Sequence, residues 1–269
     1  MPAKRKISKR LRKQPRRILN CKLSPETERD WSFGNAVNAG VLRAAAIPAS
    51  KDLRTTWWKI GDQGSTGSCV GWAAADSLLR WHFVKAGRIS NSEKLSVRFA
   101  WMASKESDEF VTPPTTFIEA DGTSLKAALD VARKYGAVKE NVLPFGTGKL
   151  YPGETEDFYA LAAQLKIVSY FNLGNNLTQW RKWIATQGPV LTRLTCDDTW
   201  MECGSSGQLA TYHPETADGG HAVTLVGYTP THFIVRNSWG TSLWGDKGFG
   251  YATNSYASDA FTEAYGITV

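Results

Sequence analysis

The sequence contains no apolar run approaching the ~18 residues that a membrane-spanning helix needs, and no apolar h-region follows its basic start as a secretory signal requires. The Arg16-Arg17 pair likewise has no apolar stretch behind it. The expectation is a cytoplasmic chain, with export by a non-classical route left open. Four cysteines in 269 residues are too few for a disulfide scaffold. Cys196 and Cys203 could pair across a short loop or stay reduced. Together with His213 and His221 they make a Cys/His set whose spacing does not match a structural zinc site, so no metal is expected. No internal repeat is present. Acidic residues are absent from positions 1–17, whereas Lys4, Arg5, Lys6, Lys9, Arg10, Arg12, Lys13, Arg16 and Arg17 all fall there.

What is present is a core-forming chain. Hydrophobic residues make up 42%, with 11 Trp, 9 Tyr and 11 Phe, which excludes a mainly disordered protein. The formal net charge of +7 belongs to the first 17 residues, because the rest of the chain has slightly more acidic than basic residues. The basic tail therefore implies no basic groove in the fold. As a solvated arm it offers weak, sequence-independent attraction to an anionic partner, nucleic acid or lipid.

The chain divides into a basic arm (1–17), a leader (18–50) and a main domain (51–269). Within the leader, Asn35 to Ala46 is a short helix or an extended strap. From Cys69 the apolar residues Val70, Ala73, Leu78, Leu79, Phe83 and Val84 fall near helical spacing, with Gly87 placed to end the helix. Further helices are predicted over Ser124 to Tyr135, capped by Gly136, about Thr155–Leu165, and Asn176–Thr186, stopped by Gly188-Pro189. Strands are predicted at Val190–Thr195, His221–Tyr228, His232–Arg236 and Gly248–Tyr251. Helices first and antiparallel strands later imply an α+β protein of two lobes, about 51–165 and 166–269.

Three segments carry chemistry. Cys69 follows a glycine-rich loop and opens a helix, where unpaired N–H groups and the helix dipole favour a thiolate. His221 stands between a double glycine and a hydrophobic strand, and a thiolate beside an imidazolium is the activated pair of cysteine acyl transfer. Asn237, in Asn237-Ser238-Trp239-Gly240, has an amide that could orient that imidazole.

Gln63-Gly64-Ser65-Thr66-Gly67-Ser68-Cys69, Gly220-His221-Ala222 and Asn237-Ser238-Trp239-Gly240-Thr241 together resemble the signature blocks of the papain family of cysteine peptidases, most closely its compact bacterial members. The order and intervals match the family's, with Cys69 six positions after Gln63 and Asn237 sixteen after His221. The resemblance covers roughly residues 51–253. It implies a helical N-terminal lobe and an antiparallel, β-barrel-like C-terminal lobe, with a cleft between them for an extended peptide. It implies Cys69 as nucleophile, His221 as general base and acid, Asn237 as its orienting partner and Trp239 as the shield of that hydrogen bond. Gln63 would supply the oxyanion hole, Gly122 and Thr123 would meet the substrate main chain, and Ala222 and Arg193 would line the main specificity pocket, Arg193 favouring an acidic side chain. The implied activity is cysteine endopeptidase action on peptide or protein, without metal or cofactor. Thr66 stands where secreted relatives carry a disulfide cysteine, and Val70 where many have Trp. The leader is shorter than the family's usual pro-segment, and the expectation is that it lies over the cleft and holds the enzyme latent. The same triad also serves isopeptidases, amidases and transglutaminases, and a silent binding protein could keep the fold.

Overall fold

A rod of helix begins at Cys69 because nearly every side chain along it can be buried. It runs as three joined segments, Cys69–Gly71, Trp72–Leu79 and Arg80–Lys85, the middle one widened to π geometry. Val70, Ala73, Ala74, Ala75, Leu78, Leu79 and Phe83 are all buried, so the rod is core on most of its circumference. The polar residues on it survive burial by pairing. Asp76 takes Arg80 Nη1 at 3.4 Å and Arg236 Nη2 at 2.7 Å, while Arg236 Nη1 donates to Ser77 Oγ. At Gly71 a side chain would meet Val97 O at 2.7 Å and Trp101 Cβ at 2.9 Å, so its absence lets helix Val97–Ser107 pack close.

This computed structural model describes residues 16–42, 46–107, 121–146 and 151–269. The arm's residues Lys4 to Lys13, and with them its expected anionic partner, lie outside the described residues. Among the described residues, helices Leu125–Lys134, Thr155–Ala163 and Leu177–Thr186 fall where the periodicity predicts them. The first is capped by Ser124, whose hydroxyl accepts from Ala127 N, and the last by Asn176, which accepts from Thr178 and Gln179 N–H groups. The leader contains helix Phe33–Asn38, capped by Ser32.

Among the described residues, eight strands form one mixed sheet. They are β1 (Lys51–Asp52), β2 (Ser169–Asn172), β3 (Val190–Cys196), β4 (Gln208–Leu209), β5 (Gly219–Tyr228), β6 (His232–Arg236), β7 (Phe249–Thr253) and β8 (Phe261–Thr268). Their order is β2-β8-β3-β5-β6-β7-β4, with β1 added beside β5. The sheet is open, with β2 and β4 at its ends, and so is barrel-like only loosely. The β4–β7 pairing is parallel and all others are antiparallel.

Central β5 is apolar on both faces because both are covered. Val223 and Leu225 join a core with Trp180, Trp183 and Trp200, whereas Ala222 packs into the cluster of the Cys69 helix. Thr224 Oγ1 donates to Ala73 O at 3.2 Å, pinning the strand to the rod. By this packing the start of β5 meets the start of the helix.

Candidate active site

Cys69 enters the site from the Gln63–Ser68 loop, which turns at Gly64 with φ of 60°. Hydrogen bonds lace this loop to the one after β6. Gln63 N donates to Ser238 O at 2.8 Å, Gly240 N to Gly61 O at 2.9 Å, and Ser238 Oγ to Gln63 Oε1 at 2.9 Å. Gln63 Nε2 gives one proton to Thr66 O at 3.0 Å, which leaves its second N–H for another acceptor. Asp76 and Arg236 fasten the same two elements from behind. Cys69 and Asn237 therefore stand on a common rigid frame.

His221 is fully buried at the start of β5. Its Nε2 is 2.8 Å from Asn237 Oδ1, and its ring centroid lies 4.9 Å from that of Trp239 and 5.6 Å from that of Trp200. The other ring nitrogen, Nδ1, is the atom left to face the Cys69 sulfur. The Cys69 thiol is held well below its usual pKa. The largest cause is the neighbouring Cys21 thiol; burial, next in size, acts the other way, and His221 adds to the lowering. A thiolate at this position is the nucleophilic form.

The remaining predicted residues border a groove that is already filled. The leader crosses it in an extended run. Cys21 N donates to Gly220 O at 2.9 Å, Lys22 N to Thr123 O at 3.1 Å, and Ser24 N to Glu263 Oε1 at 3.0 Å. A Cβ at Gly122 would overlap the Asn20 carbonyl oxygen, and one at Gly220 the Cys21 carbonyl oxygen, so the bare backbone at both positions admits the chain. Ala222 is buried beside Cys69. Arg193 reaches the leader's main chain, Nε donating to Cys21 O at 2.9 Å, and its Nη1 donates to Thr262 Oγ1 at 2.8 Å.

Three residues at the site are missed by the sequence reading. Arg17, grouped there with the arm, is buried. It pairs with Asp62 at 2.8 Å, donates to Gly64 O at 2.9 Å and Trp239 O at 3.1 Å, and lies 5.4 Å over the Trp239 ring. Glu263 is buried at the groove, with Oε2 unpartnered. Cys21 is buried against Cys69. Only the basic run at Arg16-Arg17 and the cysteine inside a leader could have flagged any of these. Cys196 and Cys203 are both free thiols.

The family profile for papain family cysteine proteases matches residues 47–265. Among solved structures, xylellain, a cysteine protease from Xylella fastidiosa, is similar with a TM-score of 0.78 and 21% identity, over 96% of this chain and 98% of that one. Digestive procathepsin L2 from the larval midgut of Tenebrio molitor gives a TM-score of 0.69 and 20% identity, covering 94% and 78% of the two chains. Procathepsin L 3 from the same tissue gives 0.63 and 16%, over 95% and 75%. A search of curated proteins yields no match.

Proposed function

The chain belongs to the papain family of cysteine proteases, and from that premise we propose that it is an endopeptidase working through Cys69, His221, Asn237 and Gln63, described here in its latent form. The observation that carries the reading is the His221 imidazole, which helps lower the Cys69 thiol and whose far nitrogen is held by Asn237 at 2.8 Å.

The Cys69 thiolate adds to the scissile carbonyl, and the oxygen takes up negative charge between the free Gln63 Nε2 hydrogen and the Cys69 backbone N–H. The His221 imidazolium protonates the leaving amine as the C–N bond breaks, leaving a thioester on Cys69. Neutral His221 then takes a proton from water, which attacks the thioester and frees Cys69. Asn237 Oδ1, accepting from Nε2–H, keeps Nδ1 pointed at the sulfur through both halves. Trp239 covers that hydrogen bond and keeps water from competing for it.

Peptide enters the groove over Gly122, Thr123, Gly220 and Ala222, so the leader must first leave. Arg193, which holds the leader's backbone, is positioned to hold substrate backbone in the same way.

A peptide-library cleavage assay of the full chain and of Cys69→Ala, each with and without brief activating proteolysis, tests the reading. Cleavage by the activated wild type, absent in Cys69→Ala, is expected. Transfer to an added amine without peptide hydrolysis would replace the endopeptidase reading with an acyl-transfer one.

A further inference from the structure

Two of the four cysteines meet although 47 residues separate them in the chain. The two side chains are buried in one cluster, at 2% and 0% exposure; burial and then the Cys69 sulfur push the Cys21 thiol well up, while Cys21 is the largest cause of the lowered Cys69 thiol. Main-chain bonds on either side hold Cys21 in place. Its N–H is bound to Gly220 O, its C=O receives Arg193 Nε, and the next N–H is bound to Thr123 O, all within 3.1 Å. Latency would be served equally well by any small apolar residue at position 21. A thiol there adds a chemical capability that packing does not require.

We propose that Cys21 is the resolving cysteine of a reversible, peroxide-driven disulfide with Cys69, which fastens the leader covalently over the active site. The proposal deepens the reading above, since it takes Cys69 as the reactive thiolate. The Cys69 thiolate attacks one oxygen of hydrogen peroxide, the O–O bond breaks, and Cys69 becomes a sulfenic acid while hydroxide leaves and takes a proton. Cys21 sulfur then attacks Cys69 sulfur, an S–S bond forms, the S–O bond breaks and water departs with the Cys21 proton. Two thiols are oxidised to one disulfide and one peroxide is reduced to two waters. A dithiol reductant reverses the link by exchange.

The geometry favours this outcome over further oxidation. The resolving thiol is held in the same buried cluster as the sulfur it must attack, so its effective concentration far exceeds that of any thiol in solution. Peroxide is small enough to reach a sulfur that a protein partner could not. Cys196 packs instead in the other core cluster, with Trp180, Trp183 and Trp200. The link converts a noncovalent cover into one released only by reduction. It also protects the nucleophile from irreversible sulfinic oxidation.

Treatment of the reduced full chain with stoichiometric hydrogen peroxide, then alkylation and peptide mapping without reductant, tests the proposal. A peptide joining Cys21 to Cys69 is expected as the main product, lost on adding dithiothreitol. Cys21→Ser should instead accumulate sulfinic or sulfonic Cys69 that dithiothreitol does not restore. Folding of this variant is checked by circular dichroism, and the wild-type mapping stands without it. Oxidation of wild-type Cys69 to sulfinic acid with no linked peptide, or linkage of Cys21 to Cys196 or Cys203, would overturn the proposal. The mapping needs no peptidase activity. An enzyme that links under peroxide but stays inactive after reduction and activating proteolysis would therefore count against the endopeptidase reading alone, and an active enzyme that never links would count against the disulfide alone.

Discussion

Arg236 donates from Nη2 to Asp76 Oδ2 over 2.7 Å, joining the residue before Asn237 to the helix that Cys69 begins. The pair lies out of solvent, and Asp76 also takes Arg80. Removing one member leaves buried charge uncompensated, which typically costs about 3–5 kcal/mol. Asp76→Ala is expected to lower stability by that order in urea denaturation. Because the frame holding Cys69 and Asn237 loosens, kcat should fall as well. Unchanged stability would mean that the two halves are held together elsewhere.

Gln63→Ala removes the side-chain donor proposed for the developing oxyanion while leaving the Cys69 sulfur and the His221 imidazole in place. Loss of one such donor typically costs about 3–4 kcal/mol, or roughly 10²–10³ in kcat. The steady-state parameters of the activated enzyme should show that fall with little change in KM. A drop confined to KM would assign Gln63 to substrate binding.

Arg17→Ala should loosen the leader. Its partner Asp62 is about half exposed, so the ion pair itself contributes under ~1 kcal/mol. The bonds to Gly64 and Trp239 carbonyls and the stacking on Trp239 add to that, for a total of about 2 kcal/mol or roughly 30-fold in the opening equilibrium. Alkylation of Cys69 by iodoacetamide in the reduced full chain should accelerate by that order. An unchanged rate would show that the leader is held from its other end.

His82 supplies a pH test away from the site. Burial pushes its imidazole down to about 3 from the ordinary value near 6.5, so the folded protein keeps it neutral. Between those values the unfolded chain binds the extra proton. Its stabilising contribution is therefore complete above about pH 6.5 and declines by about 1.4 kcal/mol per unit below it. His82→Gln removes this dependence. Unfolding free energies from urea titrations at pH 7 and pH 5 should differ by about 2 kcal/mol less in the variant, and equal differences would refute the assignment.

Much of the frame was legible because its signals are local. Ser124 and Asn176 are caps followed by helical periodicity, and β6 matches the predicted His232–Arg236 run. The block from Gln63 to Cys69 and the interval from His221 to Asn237 carry their pattern in short range. β8 escaped because Glu263 and Gly266 break its alternation, and only the tertiary fold buries that glutamate beneath the leader. The π widening of Trp72–Leu79 leaves no mark in the linear apolar period of the sequence. The meeting of Cys21 with Cys69 is likewise a product of the route the leader takes.

The glycine floor of the groove makes no distinction between the leader and any other chain laid across it. Gly122 and Gly220 leave room for a close backbone, and a side chain at either would obstruct the leader and any other chain laid there alike. Natural selection for an always-open protease has therefore no route through the floor. Under the proposed latency, constitutive variants arise by altering the strap itself, at Arg17 and from Leu19 to Ser24, where a change weakens self-capture and leaves the bench for foreign peptide untouched.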